Sequence, residues 1–325
     1  PDVHDAVLHF LSLESYSVGD VEFHVRASDW YTHGHHTDGR YNAVLLHVVF
    51  IYDIDIPITR QDGKSIPTCS LYDIAPSPLF PHKIQWPCSN VMADISSEQW
   101  NRLLHRAGLL RFEQKAHAFV ELLHKENACD PFSVYDVVLI SALAEGLAYG
   151  RDRTFFCAVG RSLLGLSSDI PEPLGQSAEP PHLDSFRLSI LRTLIETWRK
   201  TGAWSLFRET LLLARFQCIL QQLRIPFANV GRARADILIC NVILPFACAI
   251  ALIENDTHLA QQAQTVYTLY PGLSSNRITR AMCRQLKVER EPEGACQQQG
   301  LHYIYQQTCR EKVCDMCIVG RHKTI

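Results

Sequence analysis

The chain has 325 residues, 47% of them hydrophobic and 20% charged. That length asks for two or more domains, and that balance excludes a disordered or collagen-like chain. The net charge of −3 hides an asymmetry, because residues 1–75 hold eleven acids, four bases and seven of the fifteen His.

The first letters, "PDVHDAVLHFLSL", open without a Met or a signal peptide and read as a chain whose amino end is missing. Residues 5–13, 20–27 and 43–53 alternate or run apolar with β-branched and aromatic residues, which predicts strands. Residues 14–19 read as a turn. "RQDGKS" (60–65) reads as a hairpin turn with Asp62 and Gly63 at its tip, and a strand over 66–73 closes the sheet. "APSPLFPHKIQWPC" (75–88) is Pro-rich and belongs to a linker over 75–95.

From Ser96 the apolar period changes from two to 3.6. Helices are predicted over 96–126, 132–148, 153–165, 184–200, 203–222, 232–254, 257–267, 275–286 and 296–308, with a second loop at 167–182. The run "ILICNVILPFACAIALI" (237–253) is short for a bilayer and is interrupted by Asn241 and Pro245. It predicts a central buried helix rather than a membrane span. The expected class is α+β: a small mixed or antiparallel sheet module (1–74), then a large all-helical domain (96–325).

An acidic, His-rich segment attracts cations. Glu22 and His24 lie two apart on a predicted strand and share a face, while Val21, Phe23 and Val25 point to the other face and supply burial. Asp2 precedes them across a strand and a turn. An acid followed by an acid-x-base pair resembles the arrangement of PD-(D/E)XK nucleases, with His24 where Lys is usual. There, carboxylates hold a divalent ion that helps activate water. A tight hairpin register between 5–13 and 20–27 would set Asp2 nearer Asp29 than Glu22, unless a bulge intervenes. The loop "SDWYTHGHHTDGRY" adds Asp29, His33, His35, His36 and Asp38 around Gly34 and Gly39, and His47 follows within the apolar "LLHVV". A buried imidazole needs a partner, and these carboxylates are candidates.

At the other end, Cys309, Cys314 and Cys317 have the spacing C-x4-C-x2-C, which suits zinc or an iron–sulfur cluster. Cys296 or Cys88 could supply a fourth sulfur. The remaining Cys are scattered, which points to a reducing, cytoplasmic setting. Residues 185–234 hold nine bases and two acids. Arg224, Arg232 and Arg234 around "RIPFANVGRARAD" could contact phosphates, or simply form a solvated helix face.

Taken together, "PD…GDVEFHVRASDWYTHGHHTDGRYNAVLLHVV", "WPC" (86–88), "WNRLLHRAGLLRFEQKA" (100–116), "LAEGLAYGRDRTFF" (143–156), "LRIPFANVGRARA" (223–235) and "TCREKVCDMCIVG" (308–320) resemble DUF2851, an uncharacterised bacterial family. Where this chain has Phe227 and Gly231 the family tends to have Pro. The resemblance implies a shared fold and site without an assigned activity. It picks out Asp2, Glu22, His24, Asp29, Trp30, His33, His35 and His47, together with Cys88, Cys309, Cys314 and Cys317, and it favours Cys88 over Cys296.

The expectation is a metal-dependent phosphodiesterase acting on nucleic acid, with Mg²⁺ or Mn²⁺ at the amino-terminal site and no membrane partner. The alternative is a non-catalytic nucleic-acid or protein interaction module with structural metal sites.

Overall fold

A computed structural model describes residues 1–10, 15–71, 88, 95–128, 130–148, 153–169, 182–288 and 290–320. Most of the expected linker and residues 170–181 of the second loop lie outside the described residues. The chain forms two compact units, Pro1–Gln85 and Trp86–Ile325.

The first unit holds a four-stranded mixed sheet in the order β1 (Val3–Phe10), β2 (Ser15–Arg26), β3 (Val44–Ile51) and β4 (Thr68–Ser70). β1 runs antiparallel to β2, whereas β2–β3 and β3–β4 are parallel. Residues 15–19, expected as turn, belong to β2 and pair with the end of β1. The hairpin therefore closes earlier than expected, and Val3 falls opposite Val21. A register shift between Val3 and Ala6, with Asp5 in the left-handed region at φ 51°, brings Asp2 beside Glu22 rather than Asp29. Gly63, at φ 78°, turns the chain at the tip expected for "RQDGKS", and Thr59 bridges Ser65.

Of the face of β2 expected to be buried, only Val21 is buried. Phe23 and Val25 are 47% and 64% exposed, while Glu22 is buried. The segment between β2 and β3 covers the polar face. It contains the short helix α1 (Asp29–Thr32) and two 3₁₀ turns, His35–Thr37 and Gly39–Tyr41. Trp30 is fully buried and packs with Val44, Ile58 and Ile66 as the local core. Its indole N–H donates to the Thr59 carbonyl at 2.9 Å.

The second unit is helical: α2 (Ser97–Lys125), α3 (Val134–Leu147), α4 (Arg153–Leu163), α5 (His182–Thr201), α6 (Ala203–Leu211), α7 (Phe216–Arg224), α8 (Arg232–Leu238), α9 (Leu244–Glu254), α10 (Thr257–Leu269), α11 (Arg277–Gln285) and α12 (Ala295–Ile304). Ser96 and Gln99 form a capping box that starts α2, and Ser133 with Asp136 does the same for α3. The single helix expected over 203–222 is two, broken between Leu211 and Phe216 without a Gly or Pro to announce it. A π-turn over Ile239–Ile243 joins α8 to α9, so that Arg232–Glu254 is one helix. That helix is long and apolar enough to cross a membrane, yet 72% of its most apolar 18-residue window is buried within the protein.

Close backbone contact fixes α2 against α12. A Cβ at Gly108 would lie 2.1 Å from the Cys296 carbonyl oxygen, and one at Gly300 would lie 2.2 Å from that of Leu104. Only glycine at both positions permits this approach.

Candidate functional site

The register of the mixed sheet lines up polar side chains across β2, β3 and β4, with Asp2 just ahead of β1 beside them. Glu22 is paired with His47, and His47 with Thr68. The Asp2 amide donates to Glu22 Oε2 at 2.9 Å, while Asp2 Oδ2 accepts from the Phe23 amide at 3.1 Å. His24, two residues along β2, stands on the same face as Glu22.

The covering segment adds two more rings. Gly34, at φ 74°, reverses the chain so that His33 and His35 both reach the cluster. One ligand nitrogen from each of His24, His33 and His35 lies within 4.8 Å of the other two. His33 Nδ1 is 3.2 Å from His24 Nε2. Glu22 Oε1 lies 3.8 Å from His24 Nε2 and 3.7 Å from His35 Nε2. Two ligands bound tetrahedrally to zinc at ~2.0–2.1 Å are about 3.3 Å apart, so these separations need only a small contraction to close on one ion.

The side chains of Glu22, His24 and His35 are 6–9% exposed, whereas His33 is open to solvent. Burial pushes His35 and His47 down to about 4, with help from the charge of neighbouring imidazoles. Burial and His33 lower His24 in the same direction. The buried imidazoles are thus neutral near pH 7 and have lone pairs to offer. Burial, then the charge of Asp2, raises the pKa of Glu22.

A relay stands behind the cluster. His24 Nδ1 is 2.8 Å from His47 Nε2, and His47 Nδ1 is 3.4 Å from Thr68 Oγ1. These protons can point either way along the relay. Pointing toward Thr68, they leave a lone pair on His24 Nε2, which can accept from His33 Nδ1–H or be offered to a cation. Such backing by a second hydrogen bond is what orients imidazole ligands.

Trp30 packs its ring against His24, His35 and His47, and Tyr41 stacks on His35 with centroids 3.8 Å apart. Burial and the negative charge of Glu22 push Tyr41 up to about 12. Asp29 accepts from the Arg26 amide at 3.0 Å and shapes the end of β2; its charge reaches His24 and His47 without its joining the close group. Sequence reading did not single out Tyr41 or Thr68. A Tyr six residues after His35 and a Thr at a strand start carry no pattern of their own.

In the helical unit, a cavity of about 800 Å³ is lined by Arg111, Lys115, Arg153 and Arg234, with Glu145 as the acid among its lining residues. Arg153 pairs with Glu145 at 2.7 Å. Lys115 is half-buried and donates to Asn241, at 2.6 Å to Oδ1 and 3.2 Å to the carbonyl. Burial, then Arg111, pushes its pKa well down. Asn241 sits in the π-turn, a distortion that frees carbonyl groups and is common at functional sites.

The three predicted Arg do not form one phosphate clamp. Arg224 Nε donates to Asp236 Oδ1 at 2.7 Å and is half-buried, and exposed Arg232 lies 3.9 Å from the same carboxylate. Arg234 donates to the Gly146 carbonyl and lines the cavity. Arg111 and Lys115 were missed, although two bases four apart on the apolar side of a helix were visible in the letters.

Cys88, Cys309 and Cys317 share one apolar cluster with Trp100 and Leu104. Cys296 Sγ faces the His105 carbonyl in the larger core, and burial pushes it up to about 12.

Residues 1–163 match the family described as "Protein of unknown function (DUF2851)". The chain belongs to this family. No match was found among curated proteins or among solved structures. The DUF2851 match contains the whole Glu22–His cluster and Cys88. It stops short of the resemblance drawn through residue 320, so Arg224, Arg232, Arg234, Cys309, Cys314 and Cys317 lie beyond it.

Proposed function

We propose that this protein is a metal-dependent hydrolase of phosphodiester bonds, with nucleic acid as its substrate class. The observation that carries the reading is the convergence of one ring nitrogen each from His24, His33 and His35 within 4.8 Å, with Glu22 Oε1 beside His24 and His35. Three imidazoles and a carboxylate suit Mn²⁺ or Zn²⁺ better than Mg²⁺. A bound divalent ion supplies a lowered water pKa and neutralises charge developing on a phosphate. His24 is then a ligand rather than the stand-in for a Lys base. Glu22 is a ligand or the acceptor for a water proton, and Asp2 holds Glu22 through its amide. Exposed His33 marks the side open to substrate. The cationic cavity of the helical unit supports a phosphate-bearing partner.

The test is metal binding and cleavage together. Purified protein is titrated with Mn²⁺, Zn²⁺ and Mg²⁺, then assayed on single- and double-stranded DNA and RNA. We expect one site per chain for Mn²⁺ or Zn²⁺, and cleavage that Glu22→Gln abolishes. Binding without cleavage of any of these substrates overturns the hydrolase reading. It favours a structural ion, which the burial of three of the four ligands also suits. No binding at all removes both.

A further inference from the structure

The thiol group of the helical unit is separate from the sheet site and owes nothing to the reading of that site. Cys309 ends a π-turn (Tyr305–Cys309), and Cys314 opens a 3₁₀ turn (Cys314–Met316). The Cys317 amide donates back to the Cys314 carbonyl at 3.1 Å. Lys312, in the left-handed region at φ 57°, turns the chain between Cys309 and Cys314. A loop of this kind gathers three sulfurs from a nine-residue stretch.

The fourth thiol comes from far away in the sequence. The Gln285 carboxamide Nε2 is 3.5 Å from Cys88 Sγ and 3.8 Å from Cys309 Sγ, so these two sulfurs are at most about 7.3 Å apart. Cys309 and Cys317 pack with Cys88 in one apolar cluster, and the Cys317 amide on the Cys314 carbonyl sets Cys314 beside them. Cys283 packs in the same apolar cluster. It lies outside the C-x4-C-x2-C run, and burial followed by Glu291 pushes it up to about 11. Four thiols packed together at neutral pH gain little from one another as thiols. As thiolates around a metal centre each becomes a ligand.

Spacing and separation decide which centre. A single zinc ion with Zn–S bonds of ~2.3 Å holds its sulfurs about 3.8 Å apart. Among the described residues, the group with three ligand atoms all within 4.8 Å of one another is the His24 cluster, and no three of these sulfurs meet that limit. In an iron–sulfur cluster the thiolates are spread over separate irons. C-x4-C-x2-C with one distant Cys is a spacing known for such clusters. The Gln285 N–H groups provide the hydrogen bonds to sulfur that such clusters use, and Trp100, Leu104, Met282 and Val319 supply an apolar wall. We propose that Cys88, Cys309, Cys314 and Cys317 hold an iron–sulfur cluster that ties the carboxyl-terminal loop to the segment preceding α2.

The experiment uses the full chain purified without oxygen. Iron and acid-labile sulfide are assayed, and the visible spectrum is recorded. The expected result is brown protein containing both, with colour and iron lost in Cys88→Ser and in Cys309→Ser and kept in Cys283→Ser and Cys296→Ser. Because a Ser variant can fail to fold, the wild type is also bleached with a mild oxidant and rebuilt with iron and sulfide. The thermal midpoint should fall on bleaching and return on rebuilding. Stoichiometric zinc without sulfide overturns the proposal. So does iron that persists in both Cys88→Ser and Cys309→Ser.

Discussion

Two buried acids set the units of this protein apart. In the helical unit, Asp136 has a donor for each carboxylate oxygen. Oδ2 accepts from the Ser133 amide and hydroxyl at 3.2 and 2.6 Å, and Oδ1 accepts from the Trp204 amide at 2.9 Å. In the sheet unit, Glu22 Oε2 takes the Asp2 amide, but Oε1 faces two imidazole nitrogens at 3.7 and 3.8 Å, beyond hydrogen-bond length. The first arrangement is finished by the fold. The second leaves Oε1 across a gap from two imidazoles, room that the metal proposed above would fill. A buried polar group with all its partners is structure, whereas one set across a gap from other metal-capable side chains is a candidate ligand.

The largest expected effect tests how completely packing finishes the helical unit. Gly300→Ala places a methyl 2.2 Å from the Leu104 carbonyl oxygen, a backbone atom that cannot swing away. We expect a loss of about 3 kcal/mol, the upper end of overpacking costs, read as a shifted denaturant midpoint. A loss below about 1 kcal/mol would mean that α2 and α12 slide apart easily.

Next in size is removal of a ligand. His33 is exposed, so His33→Ala should leave the metal-free protein as stable as before. It should weaken Mn²⁺ or Zn²⁺ binding by about 100-fold, or ~2.7 kcal/mol, by calorimetric titration. Undiminished affinity would take His33 out of the site. Asp136→Ala should behave in the opposite way: a loss of about 2 kcal/mol in stability, because the Trp204 and Ser133 amides are stranded, and no change in metal binding. Glu22→Gln completes the contrast. It should bind metal poorly without lowering the melting temperature of the metal-free protein.

A smaller effect is expected behind the first ligands. Thr68→Val removes the oxygen that accepts from His47 Nδ1 when the relay points its protons away from the metal. Affinity should fall by about 10-fold, while Thr68→Ser, which keeps the oxygen, retains it. Equal losses in both variants would indicate a packing effect and break the relay.

Much of this was legible in the letters. The change of period at Ser96 marked the passage from sheet to helices, because apolar spacing follows the geometry of each element. Glu22 and His24 shared a face because strand side chains alternate, and the resemblance gathered His33, His35 and His47. What stayed hidden depended on long-range facts. The start of β2 at Ser15, and with it the meeting of Asp2 and Glu22, was set by a bulge near Asp5 that has no Gly to announce it. The burial of the polar face rather than that of Phe23 and Val25 depended on which side the loop 28–43 folded over, and alternation is blind to that. The cavity around Lys115 required five helices and a π-turn to meet.

The smallest expected effect asks how much of the sheet site depends on one backbone torsion. Gly34 sits between two ligands at φ 74°, and a Cβ there would meet little, with Thr37 Oγ1 at 3.9 Å. Gly34→Ala therefore reports conformational strain with almost no steric term, about 1 kcal/mol. If the left-handed turn is what aims His33 and His35 together, the strained chain relaxes by moving one ring, and metal affinity falls along with stability. A second variant separates the two effects. Asn tolerates the left-handed region better than Ala, so Gly34→Asn should recover part of both losses. Stability that falls with unchanged affinity would show that β2 and Trp30 hold the rings, and that the turn merely connects them.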